Sequence, residues 1–159
     1  MKQFLLIRHA KTEEGLNKKD MERNLVEKGI QKMKTYTDLI KNKIENLEAA
    51  FVSPANRTQQ TARILLKYNA ETRIFLEDSL YTFNQSYLSF IQNLPSQWNF
   101  IALVGHNHSL EYTLNLLLQT PSTKPVRVKT SCIACFCSTV NQWQMVTPQN
   151  TFLEWILNG

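Results

Sequence analysis

Glycine and proline are scarce, with four and five respectively in 159 residues. No Pro/Gly/Ser-rich linker divides the chain, and no repeat or low-complexity tract occurs, so a single domain over residues 1–159 with one core is expected. Long hydrophobic runs are missing too. The N-terminus has one lysine, the four-residue apolar run Phe4 to Ile7, and then charge. That run is too short for the apolar region of a signal peptide and far too short to span a bilayer, so a cytoplasmic protein without membrane partners is expected.

Cysteine is limited to Cys132, Cys135 and Cys137, an odd number crowded into one segment. A disulfide framework is therefore not expected, and buried thiols on a strand are. A metal reading of "CIACFC" lacks the His or second Cys pair that a zinc site needs, so no metal and no cofactor is expected. Blocks of like charge are absent as well. The formal net charge is +5, and about half of the Lys and Arg residues lie between Arg8 and Lys43. Glu13, Glu14, Asp20, Glu22, Glu27 and Asp38 share that stretch, and nowhere are five like charges consecutive. A mixed solvated face is expected there, not a nucleic-acid surface. The net charge still favours anionic small molecules or acidic protein surfaces as partners.

What is present is periodic hydrophobicity. Val26, Ile30, Met33, Tyr36, Ile40, Ile44 and Leu47 step by three and four, which predicts one long amphipathic helix. Shorter helices are predicted over about 56–68, about 87–94 and from Leu110 to Leu118, the last closed by Thr120 and Pro121. "AAFVS" (Ala49 to Ser53) and "FIALVG" (Phe100 to Gly105) read as buried strands, like the N-terminal run. "CIACFCSTV" and "WQMV", separated by Asn141 and Gln142, read as a C-terminal β-hairpin. Alternating strands and helices followed by a hairpin predict an α/β fold, a three-layer α/β/α sandwich with a mainly parallel mixed sheet.

In such sheets ligands bind beyond the carboxyl ends of the strands. Three apolar runs carry cationic or imidazole residues at that end: Arg8 and His9 after "FLLI", Arg57 four residues after Ser53, and His106 after "FIALVG". Asn56 and Ser109 are candidate caps for the helices that follow. Each feature alone reads equally as an ordinary strand exit or helix start. Together they describe a pocket with two guanidinium groups, two imidazoles and helix N-termini, suited to a tetrahedral oxyanion such as phosphate or sulfate.

Arg8-His9, "SPANRTQQTA" (Ser53 to Ala62) and "GHNHSLE" (Gly105 to Glu111) resemble the three signature segments of the histidine phosphatase superfamily, which has the phosphoglycerate mutase-like fold. Within it, "RHAK", "DMERNLVEKG" (Asp20 to Gly29), Leu80-Tyr81, "GHN" and a terminal hairpin with Trp143 resemble SixA-type phosphohistidine phosphatases. The resemblance implies that His9 is the nucleophile, forming a covalent phosphohistidine, and that Arg8, Arg57 and His106 hold the phosphoryl group without a metal. Elementary chemistry agrees, because imidazole attacks only through a neutral nitrogen and nearby guanidinium groups disfavour its protonated form.

There are departures. Ala10 stands where glycine is usual after Arg-His, and Asn107 where acid-phosphatase relatives have aspartate. "LEDSLYTFNQSYL" has no carboxylate after Leu80-Tyr81, where mutase-type relatives place a catalytic glutamate. Glu77 and Asp78 are candidate general acids that read equally as surface charges at a strand end. A mutase is thereby disfavoured. The expected activity is a phosphatase acting on phosphohistidine in proteins or on another phosphoramidate. The alternatives are a small-molecule phosphomonoesterase and a non-catalytic phosphate-binding module.

Overall fold

The computed structural model describes residues 1–159. Six strands, β1 (Lys2–Arg8), β2 (Ala49–Val52), β3 (Arg73–Leu76), β4 (Phe100–Gly105), β5 (Ile133–Ser138) and β6 (Thr151–Leu157), form one sheet in the order β3-β2-β4-β1-β5-β6. The first four are mutually parallel, β5 runs antiparallel to β1, and β6 antiparallel to β5. Four α-helices connect them: α1 (Glu27–Ile40), α2 (Asn56–Leu65), α3 (Leu88–Gln92) and α4 (Ser109–Leu117).

The apolar runs are continuous because the sheet is buried on both faces. Leu5, Ile7, Ala50, Val52, Ala102 and Val104 pack with Met33 and Ile40 of α1 and Ala62 and Leu65 of α2. Their neighbours along the strands, Phe4, Leu6, Phe51, Ile101 and Leu103, pack on the opposite face with Ile91 of α3 and Leu110, Leu114 and Leu117 of α4. Successive side chains of a strand point to opposite faces, so one sheet carries two cores and three layers result. This is the expected α/β sandwich with a mainly parallel sheet.

Two elements differ from the sequence reading. The first helix stops at Ile40, and Lys41–Lys43 form a 3₁₀ turn. Ile44 and Leu47 are buried as their spacing implied, but they reach the core from a turn, where Asn69 Nδ2 donates to the Ile44 carbonyl at 2.6 Å. The hairpin's second strand is Thr151–Leu157, and Trp143–Met145 is a 3₁₀ turn. Trp143 is withdrawn into the core, with its ring edge-on to Phe4 and its Nε1 donating to the Trp98 carbonyl at 2.9 Å. A side chain taken up by the core in this way cannot alternate along a ladder. A capping box between Thr147 and Asn150 around Pro148 then leads the chain into β6.

Candidate active site

The sheet order brings the sequence-predicted residues together. β4 lies between β2 and β1, with Arg8 paired to Gly105 and Val52 to Val104. The next residues along these strands, His9, Ser53 and His106, therefore emerge side by side from one edge. Backbone bonds hold that edge: His9 N–H donates to the Gly105 carbonyl at 3.2 Å and Ser53 N–H to the Val104 carbonyl at 3.0 Å. The His9 and His106 rings lie 5.3 Å apart between centroids.

His9 Nδ1 lies 2.8 Å from the Ala10 carbonyl oxygen, which can only accept, so Nδ1 carries the hydrogen and Nε2 keeps its lone pair. Burial, opposed by that hydrogen bond and reinforced by the charges of Arg57, Arg8 and Arg23, pushes the imidazole pKa down to about 4. His9 is thus neutral at pH 7. His106 is 1 % exposed, and burial together with the Arg57 charge pushes it down to about 3. Its Nε2 is 2.7 Å from Ser53 Oγ, and its ring is flanked by Tyr81 and Phe83 with centroids at 5.3 and 5.1 Å.

Arg8 Nη1 donates to the Val128 carbonyl at 2.6 Å. Arg57, 2 % exposed, sits in the first turn of α2, and its two Nη groups donate to Asp20, to the backbone oxygen at 2.6 Å and to Oδ2 at 2.7 Å. Arg8 Nε, Arg57 Nε and His106 Nδ1 are buried without partners. Buried polar atoms are almost always satisfied, so three orphans on three neighbouring residues mark a place where a hydrogen-bonding partner belongs. α2 secures the loop after His9 through Thr61, whose Oγ1 accepts from the Ala10 N–H at 3.0 Å.

Asp20, Tyr81 and Ser53 complete the arrangement, and none was singled out for a role by the sequence reading. Asp20 Oδ2 also accepts from Tyr81 Oη at 2.6 Å, and Oδ1 from Arg23 Nη1 at 3.1 Å. Burial works against the charge of Asp20, but the bonds from Tyr81, Arg57 and Arg23 outweigh it and hold its carboxyl well below the usual range. Asp20 opens a 3₁₀ turn (Asp20–Glu22) in a segment with no hydrophobic period, and its partners Arg57 and Tyr81 are 37 and 61 residues away. Only the segment resemblance could have drawn attention to it. Glu77 and Asp78 form no hydrogen bond or ion pair with Arg8, His9, Arg57 or His106. Glu77 lies instead beside a groove lined by Phe51, Phe75 and Phe90, and Asp78 is exposed.

The family model of the histidine phosphatase superfamily (branch 1) matches residues 4–81. No curated protein matches the chain in sequence. Among solved structures, a candidate phosphohistidine phosphatase SixA from Agrobacterium tumefaciens superposes with a TM-score of 0.79 at 22% identity, covering 98% of this chain and 97% of the other. The protein histidine phosphatase SixA complexed with tungstate gives a TM-score of 0.79 at 19% identity, covering 98% and 96%. A phosphoserine phosphatase from Entamoeba histolytica in complex with 3-phosphoglyceric acid gives 0.69 at 16%, covering 98% and 96%. At these identities the structures speak to the fold, which is phosphoglycerate mutase-like over nearly the whole chain.

Proposed function

We propose that this member of the histidine phosphatase superfamily hydrolyses phosphohistidine in proteins, or a related phosphoramidate, through a phosphoryl group carried on His9. The observation that carries the reading is the neutral His9, anchored through Nδ1 so that Nε2 is free, beside the unpartnered Nε donors of Arg8 and Arg57 and the unpartnered Nδ1 of His106. Phosphoryl transfer asks mainly for alignment and for positive charge around the three equatorial oxygens, and two guanidinium groups supply that charge.

In the proposed reaction Nε2 attacks phosphorus, the bond to the leaving nitrogen breaks, and the leaving imidazole departs with the electron pair. Water then attacks the phosphohistidine in line, returning the electron pair to Nε2 and releasing inorganic phosphate. The substrate class follows from the carboxylates. Glu77 and Asp78 are unconnected to the clamp, and Asp20 is held ionised, so none is suited to give a proton at neutral pH. An alkoxide, comparable to hydroxide with a conjugate acid near pKa ~15.7, normally needs such a proton. An imidazole already protonated on its distal nitrogen, with a reference pKa of about 6.5, leaves as a neutral molecule. The tungstate in the SixA structure of the same fold is a tetrahedral oxyanion of the kind this clamp suits.

The test is a substrate panel run with and without chelator. A phosphohistidine peptide should be cleaved faster than an aryl phosphate, and an aryl faster than an alkyl phosphate, with chelator having no effect. Rapid quench of the wild type should trap an acid-labile, base-stable phosphoryl label that is absent in a folded His9→Ala. Preference for alkyl phosphates, with loss of that activity in Glu77→Gln or Asp78→Asn, would replace this reading with a phosphomonoesterase.

A further inference from the structure

Both Nη groups of Arg57 are taken by Asp20, whose carboxylate also holds Tyr81 and Arg23. Yet the Asp20 side chain is 45% exposed, whereas that of Arg57 is 2% exposed. The negative charge of this pair is therefore the part that solvent reaches, directly beside a buried arginine of the clamp. Its place relative to the reacting groups is fixed through Tyr81, whose ring stands edge-on to His106 at 90°. Three guanidinium groups, Arg8, Arg23 and Arg57, act on His9. Asp20 already offsets Arg57 and Arg23, and Glu111 acts on Arg8, so with a phosphoryl dianion bound no guanidinium charge is left over for a second anionic group on the substrate.

We propose that Asp20 is a specificity-determining residue of this pocket, favouring a phosphoryl group attached to a cationic N–H heterocycle and disfavouring substrates that carry a further carboxylate or phosphate. The lone pairs of Asp20 not used by Arg57, Tyr81 and Arg23 can accept from the distal N–H of a protonated phosphoimidazole, which strengthens that substrate's better-leaving form. A second substrate anion meets the same carboxylate as a like charge, and discrimination of this kind rests on repulsion as much as on attraction. Glu77 and Asp78 are unconnected to the clamp and cannot substitute for it. The proposal rests on the phosphohistidine reading for its favoured substrate, while its exclusion of a second anion is measurable without turnover.

The experiment compares wild type, Asp20→Asn and Tyr81→Phe on a phosphohistidine peptide, phenyl phosphate and 3-phosphoglycerate. It also measures dissociation constants for inorganic phosphate and 3-phosphoglycerate. Asp20→Asn keeps the shape and removes the charge. It should tighten 3-phosphoglycerate relative to inorganic phosphate by about tenfold, well within the Coulomb energy of two like charges near a protein surface. In the same variant kcat/KM for the phosphohistidine peptide should fall relative to phenyl phosphate. Tyr81→Phe keeps the charge but removes one of the three side-chain bonds that position the carboxylate, and should move both ratios the same way by less; it carries the test if Asp20→Asn does not fold. Parallel shifts for all ligands would reduce Asp20 to a mechanical support of Arg57 and overturn the proposal. If the wild type fails to cleave phosphohistidine but the binding ratio still moves, the functional reading fails and the exclusion of a second anion stands.

Discussion

In the proposed reaction Ser53 and Arg57 set the chemistry of the site through single side chains. His106 Nε2 has Ser53 Oγ as its partner, while Nδ1 has none. If the serine hydroxyl donates, Nδ1 carries the hydrogen and becomes a neutral donor toward a bound oxyanion. Ser53→Ala should then lower kcat by about tenfold with little change in melting temperature, since the hydroxyl acts through the tautomer it selects. An unchanged kcat in a folded variant would remove Ser53 from this role. Arg57→Lys should lose at least about a hundredfold in kcat/KM, because a point ammonium cannot reach both Asp20 oxygens and a phosphoryl group. Activity near wild type would exclude Arg57 from the clamp. With His9 pushed down to about 4, the acid limb of kcat/KM should fall below about pH 4.5 where phosphate ionisation allows, not near the free-imidazole value. A limb at 6.5 that stays in place when the substrate's own phosphate pKa is changed would mean that His9 is solvated.

At the scale of elements, the loop after His9 depends on how closely α1 approaches it. A Cβ on Gly29 would lie 2.4 Å from the Lys11 carbonyl oxygen and 2.7 Å from its nitrogen, both backbone atoms that cannot swing aside. Val26 N–H, just before α1, donates to that carbonyl at 3.0 Å. Alanine would gain about 1 kcal/mol of helix propensity at such a position, whereas forced overpacking costs about 1–3 kcal/mol and here acts on backbone. Gly29→Ala should therefore lower the melting temperature, and it should also lower kcat, since the strain falls on the segment between His9 and Thr12. A rise in melting temperature with normal kcat would show that the contact relaxes freely. Gly105 is similar at the end of β4: a Cβ there would meet Tyr87, whose hydroxyl accepts from the His106 N–H at 3.1 Å.

At the scale of the molecule, the neutral histidines couple stability to pH. Their folded-state pKa values, about 4 for His9 and about 3 for His106, lie below the usual 6.5. The unfolded chain therefore binds more protons as pH falls below 6.5, and stability falls with pH through that window. Separation of 2.5 pKa units at about 1.4 kcal/mol each gives on the order of 3 kcal/mol from His9 between pH 6.5 and 4. Asp20, whose carboxyl is held low, keeps its contribution across the same window and loses it only at more acid pH. The melting temperature should drop by roughly 10 °C from pH 7 to pH 4.5, less in His9→Asn, as calorimetry would record. A flat profile in the wild type would show that the imidazoles are not held neutral.

Sequence by itself determined the layers and the sheet edge at which two guanidinium groups and two imidazoles meet. Helical and continuous apolar periods are local properties, and they marked the buried faces of α1, α2, α4, β1, β2 and β4. A ligand at the carboxyl edge of a parallel sheet follows from topology, so the order of residues along the chain is enough to place Arg8, His9, Arg57 and His106 together. Tertiary structure alone decided what surrounds them. Asp20 meets Arg57 and Tyr81, and Ser53 meets His106, across separations of 37, 61 and 53 residues. The bonds of Asp20 depend on the path of a segment with no hydrophobic period, and that of Ser53 on the pairing of β2 with β4. The hairpin partner was decided in the same way, because burial of Trp143 against Phe4 removed "WQMV" from the ladder and left Thr151–Leu157 to pair with β5. A residue's type and local spacing are written in the chain, whereas its hydrogen-bond partner is chosen only when distant segments pack.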